Sequence, residues 1–182
     1  MRVFIIGTGR CGTTTIWKAA QHITNYTAGH ETKPGVIGRY KGYPDNHIES
    51  DGHLIWTVPR LVAKYPDAKF AVLRRDRKDL IDSLARRYYM QGILRLFHAD
   101  KRHKEKQARE EAAAWLVDCM YAYAERFLAA QFKCDFRIFN LEKMKTGDWV
   151  RFWDWIGAEG DFDKSLKEWD IKHNTKVGDC YE

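Results

Sequence analysis

Near its start the chain runs four apolar residues, Val3 to Ile6, straight into Gly7-Thr8-Gly9-Arg10-Cys11-Gly12-Thr13-Thr14-Thr15. A short continuous apolar run ending in glycine fits a central parallel strand covered on both faces. Residues 13 to 23 (TTTIWKAAQHI) read as a helix behind it. No other feature constrains the fold as strongly. Glycines let the backbone turn sharply and point amide N–H groups inward, and the helix start adds the positive end of its dipole. Together they make an anion site, most naturally for phosphate. Three glycines plus a run of hydroxyls exceed what a plain tight turn needs.

The rest of the chain alternates in the same way. Residues 24 to 58 are rich in Gly, Pro, Asn, His and Tyr, show no steady period, and read as a long irregular connection. Tyr65-Pro66-Asp67 reads as a turn and Phe70 to Leu73 as a second buried strand. A helix is expected from Arg77 to about Phe97, with Leu80, Leu84 and Tyr88 on one face. After a charged stretch at 100–110, Ala112, Leu116, Cys119, Met120, Tyr123 and Phe127 form a helical stripe. Phe136 to Phe139 reads as a third strand. Asp148 is the expected N-cap of a helix through Ile156, with Gly157 as its C-cap, and a short helix is expected near 163–169. Strands alternating with helices predict an α/β fold of the three-layer P-loop type, a central parallel sheet flanked by helices, in a single domain spanning 1–182.

Composition narrows the class. Gly (13) and Pro (4) are scarce in 182 residues and aromatics make up 14%, which excludes a disordered or collagen-like chain. No apolar run approaches the length of a membrane span, and the N-terminal apolar stretch is too short for a signal peptide, so a cytoplasmic protein is expected. A net charge of +6 suits an anionic partner such as a nucleotide, sulfated sugar or nucleic acid. Cys11, Cys119, Cys134 and Cys180 have no CxxC spacing and are expected as free thiols.

Three ligand classes compete for the glycine loop. Gly7-x-Gly9-x-x-Gly12 matches the dinucleotide fingerprint, with Glu31 near the distance of its usual acidic partner. The residues before Glu31 (ITNYTAGH) make a poor buried second strand, which counts against it. Gly7 and Gly12 also have the spacing of an ATP or GTP loop, but Thr13 stands where the phosphate-reaching lysine belongs, and no clear strand-borne aspartate offers itself to magnesium. The third class accounts for the departures. Arg10 followed by Gly12-Thr13-Thr14 resembles the phosphosulfate loop of sulfotransferases, which use 3′-phosphoadenosine 5′-phosphosulfate (PAPS), with Cys11 in place of the family's serine.

A second stretch carries the same resemblance. Arg75-Asp76-Arg77-Lys78-Asp79-Leu80-Ile81-Asp82-Ser83 is similar to the family's 3′-phosphate signature, an arginine at a strand end and a serine eight residues later, with Arg77 where proline is usual. An arginine fork and a hydroxyl near a helix start can converge on one dianion. Gly29-His30-Glu31-Thr32 resembles the segment that carries the catalytic glutamate in tyrosylprotein and other Golgi-type members. The resemblance implies Glu31 as general base and His30 as runner-up, since cytosolic members use histidine. Tyr65 to Phe70 and Phe139 to Met144 are also family-like, and Lys172, His173 and Lys176 sit where a C-terminal segment can cover the 3′-phosphate.

What the resemblance implies is sulfuryl transfer from PAPS to a hydroxyl or amine, with PAP (the desulfated donor) as product and no metal. Gly9, Arg10, Cys11, Gly12, Thr13, Thr14 and Thr15 would hold the 5′-phosphate, Arg75 and Ser83 the 3′-phosphate, with Arg10 and Glu31 or His30 catalytic. The acceptor would be a small molecule or carbohydrate, which the basic charge would suit if anionic. A P-loop nucleotide kinase or phosphotransferase is the first alternative. The second is a non-enzymatic basic module binding nucleic acid through residues 74–78, 86–87 and 101–106, ranked last because no nucleic-acid motif accompanies it. Most of the seven tryptophans are expected as packing, with one left to stack on adenine. His22, His47, His53, His98 and His103 form no recognised metal set.

Overall fold

A computed structural model of the chain describes residues 1–33, 42–87 and 105–173. They form one five-stranded, all-parallel sheet: β1 (Arg2–Ile6), β2 (Thr27–His30), β3 (His47–Ser50), β4 (Lys69–Arg74) and β5 (Asp135–Asn140), in the order β2-β3-β1-β4-β5. The helices are α1 (Thr13–Ala20), α2 (Val58–Lys64), α3 (Arg77–Ala85), α4 (Lys106–Ala130), α5 (Trp149–Ile156) and α6 (Phe162–Lys167). None of them is long and apolar enough to cross a membrane.

The central strands bury both faces, as a parallel sheet requires. Because side chains alternate along a strand, Phe4 and Ile6 join one core with Phe70, Val72, Leu80, Leu84, Leu116 and Met120. Val3 and Ile5 join the other with Ile16, Leu73, Phe139, Trp149 and Phe152. On that second face Trp149 stacks on Phe152 at 5.0 Å, and its indole N–H donates to Ser165 Oγ at 2.9 Å. Ser165 donates in turn to the Ala19 carbonyl at 2.8 Å, tying α6 to α1.

The α/β reading holds, and the apolar strands fall where expected. The segment 24–58 does not: it holds β2, β3 and a 3₁₀ turn at Gly52–Thr57. These strands are polar (TAGH and HIES), so they carry no apolar pattern. Their polar groups are satisfied by partners far along the chain, which local sequence does not reveal. The helix from Arg77 ends at Ala85, and 88–97 lie outside the described residues, with Tyr88 among them. In α4 the buried stripe is Ala112, Leu116, Met120, Ala124 and Leu128, whereas Cys119 and Tyr123 are exposed. A 25-residue helix drifts against a short periodic template, and its flanking positions turn outward. Gly157 closes α5 in the left-handed conformation at φ 64°. Asp148 makes no capping bond to α5; its carboxylate takes the Asn140 N–H at 2.7 Å and Arg151 instead. Trp149 and Trp155 are buried, and Trp115 and Trp56 are exposed. Cys11, Cys119 and Cys134 are free thiols, and Cys180 lies outside the described residues.

Strand order also bears on ligand class. A dinucleotide fold places its second strand beside the first. Here β3 stands between β1 and β2, so Glu31 is not the acidic partner of a dinucleotide fingerprint, although a strand does precede it.

Candidate anion site at the carboxyl edge of the sheet

In an open parallel sheet, ligands bind beyond the carboxyl ends of the strands. Each strand here delivers polar groups to that edge. β1 leads into the glycine loop, β2 into Glu31, β3 into Asp51, β4 into Arg75, and β5 into Glu142.

The loop after β1 turns through three left-handed residues, Gly9 (φ 76°), Arg10 (φ 56°) and Gly12 (φ 97°). Gly12 is needed for space as well as conformation, because a Cβ there would lie 2.5 Å from Leu141 Cδ1. Arg10 has no such freedom. A non-glycine residue held in that region costs about 1–3 kcal/mol, and such residues gather at ligand sites. Among the contacts that hold it, Arg75 Nη1 donates to the Arg10 carbonyl at 3.1 Å, and Arg10 Nε donates to Ser83 Oγ at 3.3 Å. The two sequence signatures, more than sixty residues apart, therefore meet on Arg10. Asp76 caps α3 by accepting the Asp79 N–H at 3.0 Å, which fixes where the helix carrying Ser83 begins.

A cavity of about 440 Å³ opens beside the loop, and Arg10, Gly12, Thr13, Thr14, Thr15 and Arg75 line it. Two guanidinium groups and the first turn of α1 give this wall the chemistry that suits an anion. Gly9, Cys11 and Ser83 are not on the wall, and Ser83 is tied to it through Arg10. Cys11 is wholly buried beneath the loop, and burial pushes its thiol up to about 11, so it stays protonated and packs as an apolar residue. Its side chain therefore offers nothing to a ligand, which leaves only its backbone N–H for the expected contact. The opposite wall comes from Trp169 to His173 together with Glu142 and Lys145. Glu168 holds that stretch, its carboxylate lying 3.3 Å from His22 Nε2 and 3.0 Å from His173 Nε2, while Lys145 pairs with Asp170. The Trp169 indole N–H is buried with no hydrogen-bond partner among the described residues. Lys172 and His173 thus reach the cavity, whereas Lys176, with 101–104, lies outside the described residues.

The two base candidates part company. His30 Nε2 lies 3.4 Å from both the Thr13 and Thr14 hydroxyls, and its ring is 5.5 Å from that of Trp17, so it belongs to the phosphate loop. Glu31 lies off the cavity wall, left-handed at φ 51° and 44% exposed, with its carboxylate 3.9 Å from His53 Nδ1. His53 is held by the fully buried Asp51, which takes its backbone N–H at 2.8 Å and its Nδ1 at 3.1 Å. Glu31, Asp51 and His53 each offer a ligand atom within 4.8 Å of the others.

Asp51 and His53 escape sequence reasoning, which finds no clear strand-borne aspartate and places His53 in no cluster. An aspartate does stand at a strand end beside the loop, and one of the histidines does join a carboxylate cluster. The signal was present in Ser50-Asp51-Gly52-His53, but it speaks only once β3 is known to end there. No protein-family model matches this chain, and no curated protein matches it.

Proposed function

We propose that the chain is a PAPS-dependent sulfotransferase. The observation that carries the reading is the convergence of Arg10, Arg75 and Ser83 on a phosphate loop that has threonine in place of the nucleotidase lysine. A loop without that lysine handles a triphosphate poorly. A loop flanked by two arginines and a hydroxyl suits a nucleotide with two separate phosphates.

In this reading the donor's 5′-phosphate rests on the loop's N–H groups with the Thr13 and Thr14 hydroxyls. Arg75 and Ser83 take the 3′-phosphate, and Trp169 meets the adenine. The acceptor oxygen forms its bond to sulfur as the sulfur–oxygen bond to the 5′-phosphate breaks, and PAP leaves with that electron pair. Arg10 neutralises the charge growing on the leaving oxygen, which is stabilisation aimed at the transition state. The acceptor's proton passes to Glu31, with His53 as a second group able to take it.

The experiment is turnover of labelled PAPS to PAP, with water as the default acceptor, beside turnover of ATP with magnesium. PAPS cleavage without added metal is expected. ATP turnover that requires magnesium, with PAPS inert, would overturn the reading. It would favour a P-loop phosphotransferase, a second reading that draws on Asp51 at the end of β3 with Glu31 and His53 beside it.

A further inference from the structure

The strand that ends in Asp51 carries a feature that catalysis at the cavity does not use. Glu49 lies in the middle of β3, between β1 and β2, and is 0% exposed. Burying a carboxyl group inside a sheet is unfavourable unless every oxygen finds a donor, and an apolar residue of similar size would commonly stabilise the sheet as well or better. The reason for a carboxyl here lies in what it holds.

It holds the turn that carries Glu31. The Thr32 N–H donates to Glu49 Oε1 at 2.8 Å, and the Thr32 hydroxyl donates to Oε2 at 2.7 Å. His47 Nε2 stands 3.0 Å from the same Oε2, and His47 Nδ1 stands 2.8 Å from Thr27 Oγ1. A face of Tyr43 stacks on the His47 ring at 6.0 Å. The residue between β2 and Thr32 is Glu31 itself, whose N–H donates to the Ser50 carbonyl at 3.3 Å. Glu31 is thus fixed on both sides to β3, by its own amide and by the amide and hydroxyl of its neighbour. That double hold accounts for a glutamate sitting at φ 51°, where only a surrounding structure that insists on it keeps a non-glycine residue. Gly29 makes the room. A Cβ at position 29 would lie 2.6 Å from Glu49 Oε2 and 2.5 Å from Thr32 Cγ2.

We propose that Glu49 is the positioning residue of the Glu31 turn, acting through Thr32 to fix the backbone that carries the base. The proposal rests on Glu31 being the base. The hydrogen-bond partners of Glu49 among the described residues, Thr32 and His47, do not line the cavity, so donor binding should be independent of it.

The test combines two readouts: hydrogen exchange of the Thr32 amide, and turnover of PAPS to PAP beside calorimetric binding of PAP. In Glu49→Ala, Thr32 exchange rises at least about tenfold and turnover falls at least about tenfold, while PAP affinity stays within about twofold. Glu49→Gln restores both within about threefold, because its Oε1 still accepts the Thr32 N–H. In a Glu31→Gln background, Glu49→Ala adds no further loss, as expected of a residue that acts through Glu31. Should Glu49→Ala fail to fold, Thr32→Val removes only the hydroxyl donor and shows the same two changes, smaller, at about threefold. Thr32 exchange at the wild-type rate in the variants overturns the proposal and leaves the base assignment standing. Equal loss of turnover with and without Glu31 also overturns it. Wild-type turnover in Glu31→Gln overturns both, whatever the exchange shows.

Discussion

The two halves of the sheet are built on opposite terms. Around β1 and β4 the strands are apolar and sunk in two cores, β5 at the sheet edge buries only Phe139, and the loop and strand-end polar groups gather at Arg10 and Arg75. Around β2 and β3 the strands themselves are polar. His47, Glu49, Ser50 and Asp51 are all buried, and each is bonded to a group elsewhere in the chain. In the proposed reading the first half is the shelf for the ligand. The second is a network that sets the position and company of one exposed glutamate. If the proposed reading holds, binding and proton transfer are divided between them, and mutations should sort by half.

The largest effect is expected in the polar half. Glu31→Gln should lower PAPS turnover about 10³-fold, within the range general bases contribute, with PAP affinity unchanged within about twofold. Weakened PAP binding in this variant would erase the division. Next comes Arg10→Ala, which should lower turnover about 10²-fold, as loss of one group aimed at developing charge does. Wild-type turnover would remove its transition-state role. Third, Arg75→Ala should weaken PAP about 30-fold by calorimetry, the loss of a charge-assisted bond to phosphate, and leave 5′-AMP nearly unaffected. Equal loss for both ligands would sink the 3′-phosphate assignment.

The smallest effect belongs to a pair outside the cavity. Arg77 makes a two-pronged pair with Asp118 of α4 at 3.0 and 2.8 Å. The Arg77 hydrogen bond holds the Asp118 carboxyl below its usual range. A depressed carboxyl contributes stability that is present above the ordinary Asp value and fades as pH falls through the lowered one. Both side chains are more than half exposed, so Asp118→Asn should cost under about 0.5 kcal/mol at neutral pH and nothing measurable in acid strong enough to protonate the paired carboxyl. Denaturant melts at the two pH values would show it. A loss of turnover in that variant would mean that the α3–α4 contact governs the site.

The same division explains what could be read from the residues alone. β1, β4 and β5 announce themselves because VFII, FAVL and FRIF are short apolar runs or near-runs, although at the sheet edge only Phe139 of FRIF is buried. Arg10, Arg75 and Ser83 are legible because loop and strand-end signatures are local. β2 and β3 are silent, since TAGH and HIES are strands only by virtue of partners such as Thr32, Thr13 and the backbone of β1. With β3 unseen, Asp51 and His53 have no strand end to mark them. Cys11 shows the reverse limit: its place in the loop is legible, but not that its side chain turns inward. Trp169 reaches the cavity from the far end of the chain, a closeness that no spacing encodes.

The most direct test is calorimetric titration of the protein with PAP and with 5′-AMP, in the absence of added metal, with ATP and NAD as comparators. Tight binding of PAP with weak binding of 5′-AMP is the predicted result, because only PAP engages both Arg75–Ser83 and the glycine loop. Equal affinities for PAP and 5′-AMP, or no PAP binding beside magnesium-dependent ATP binding, would contradict the account.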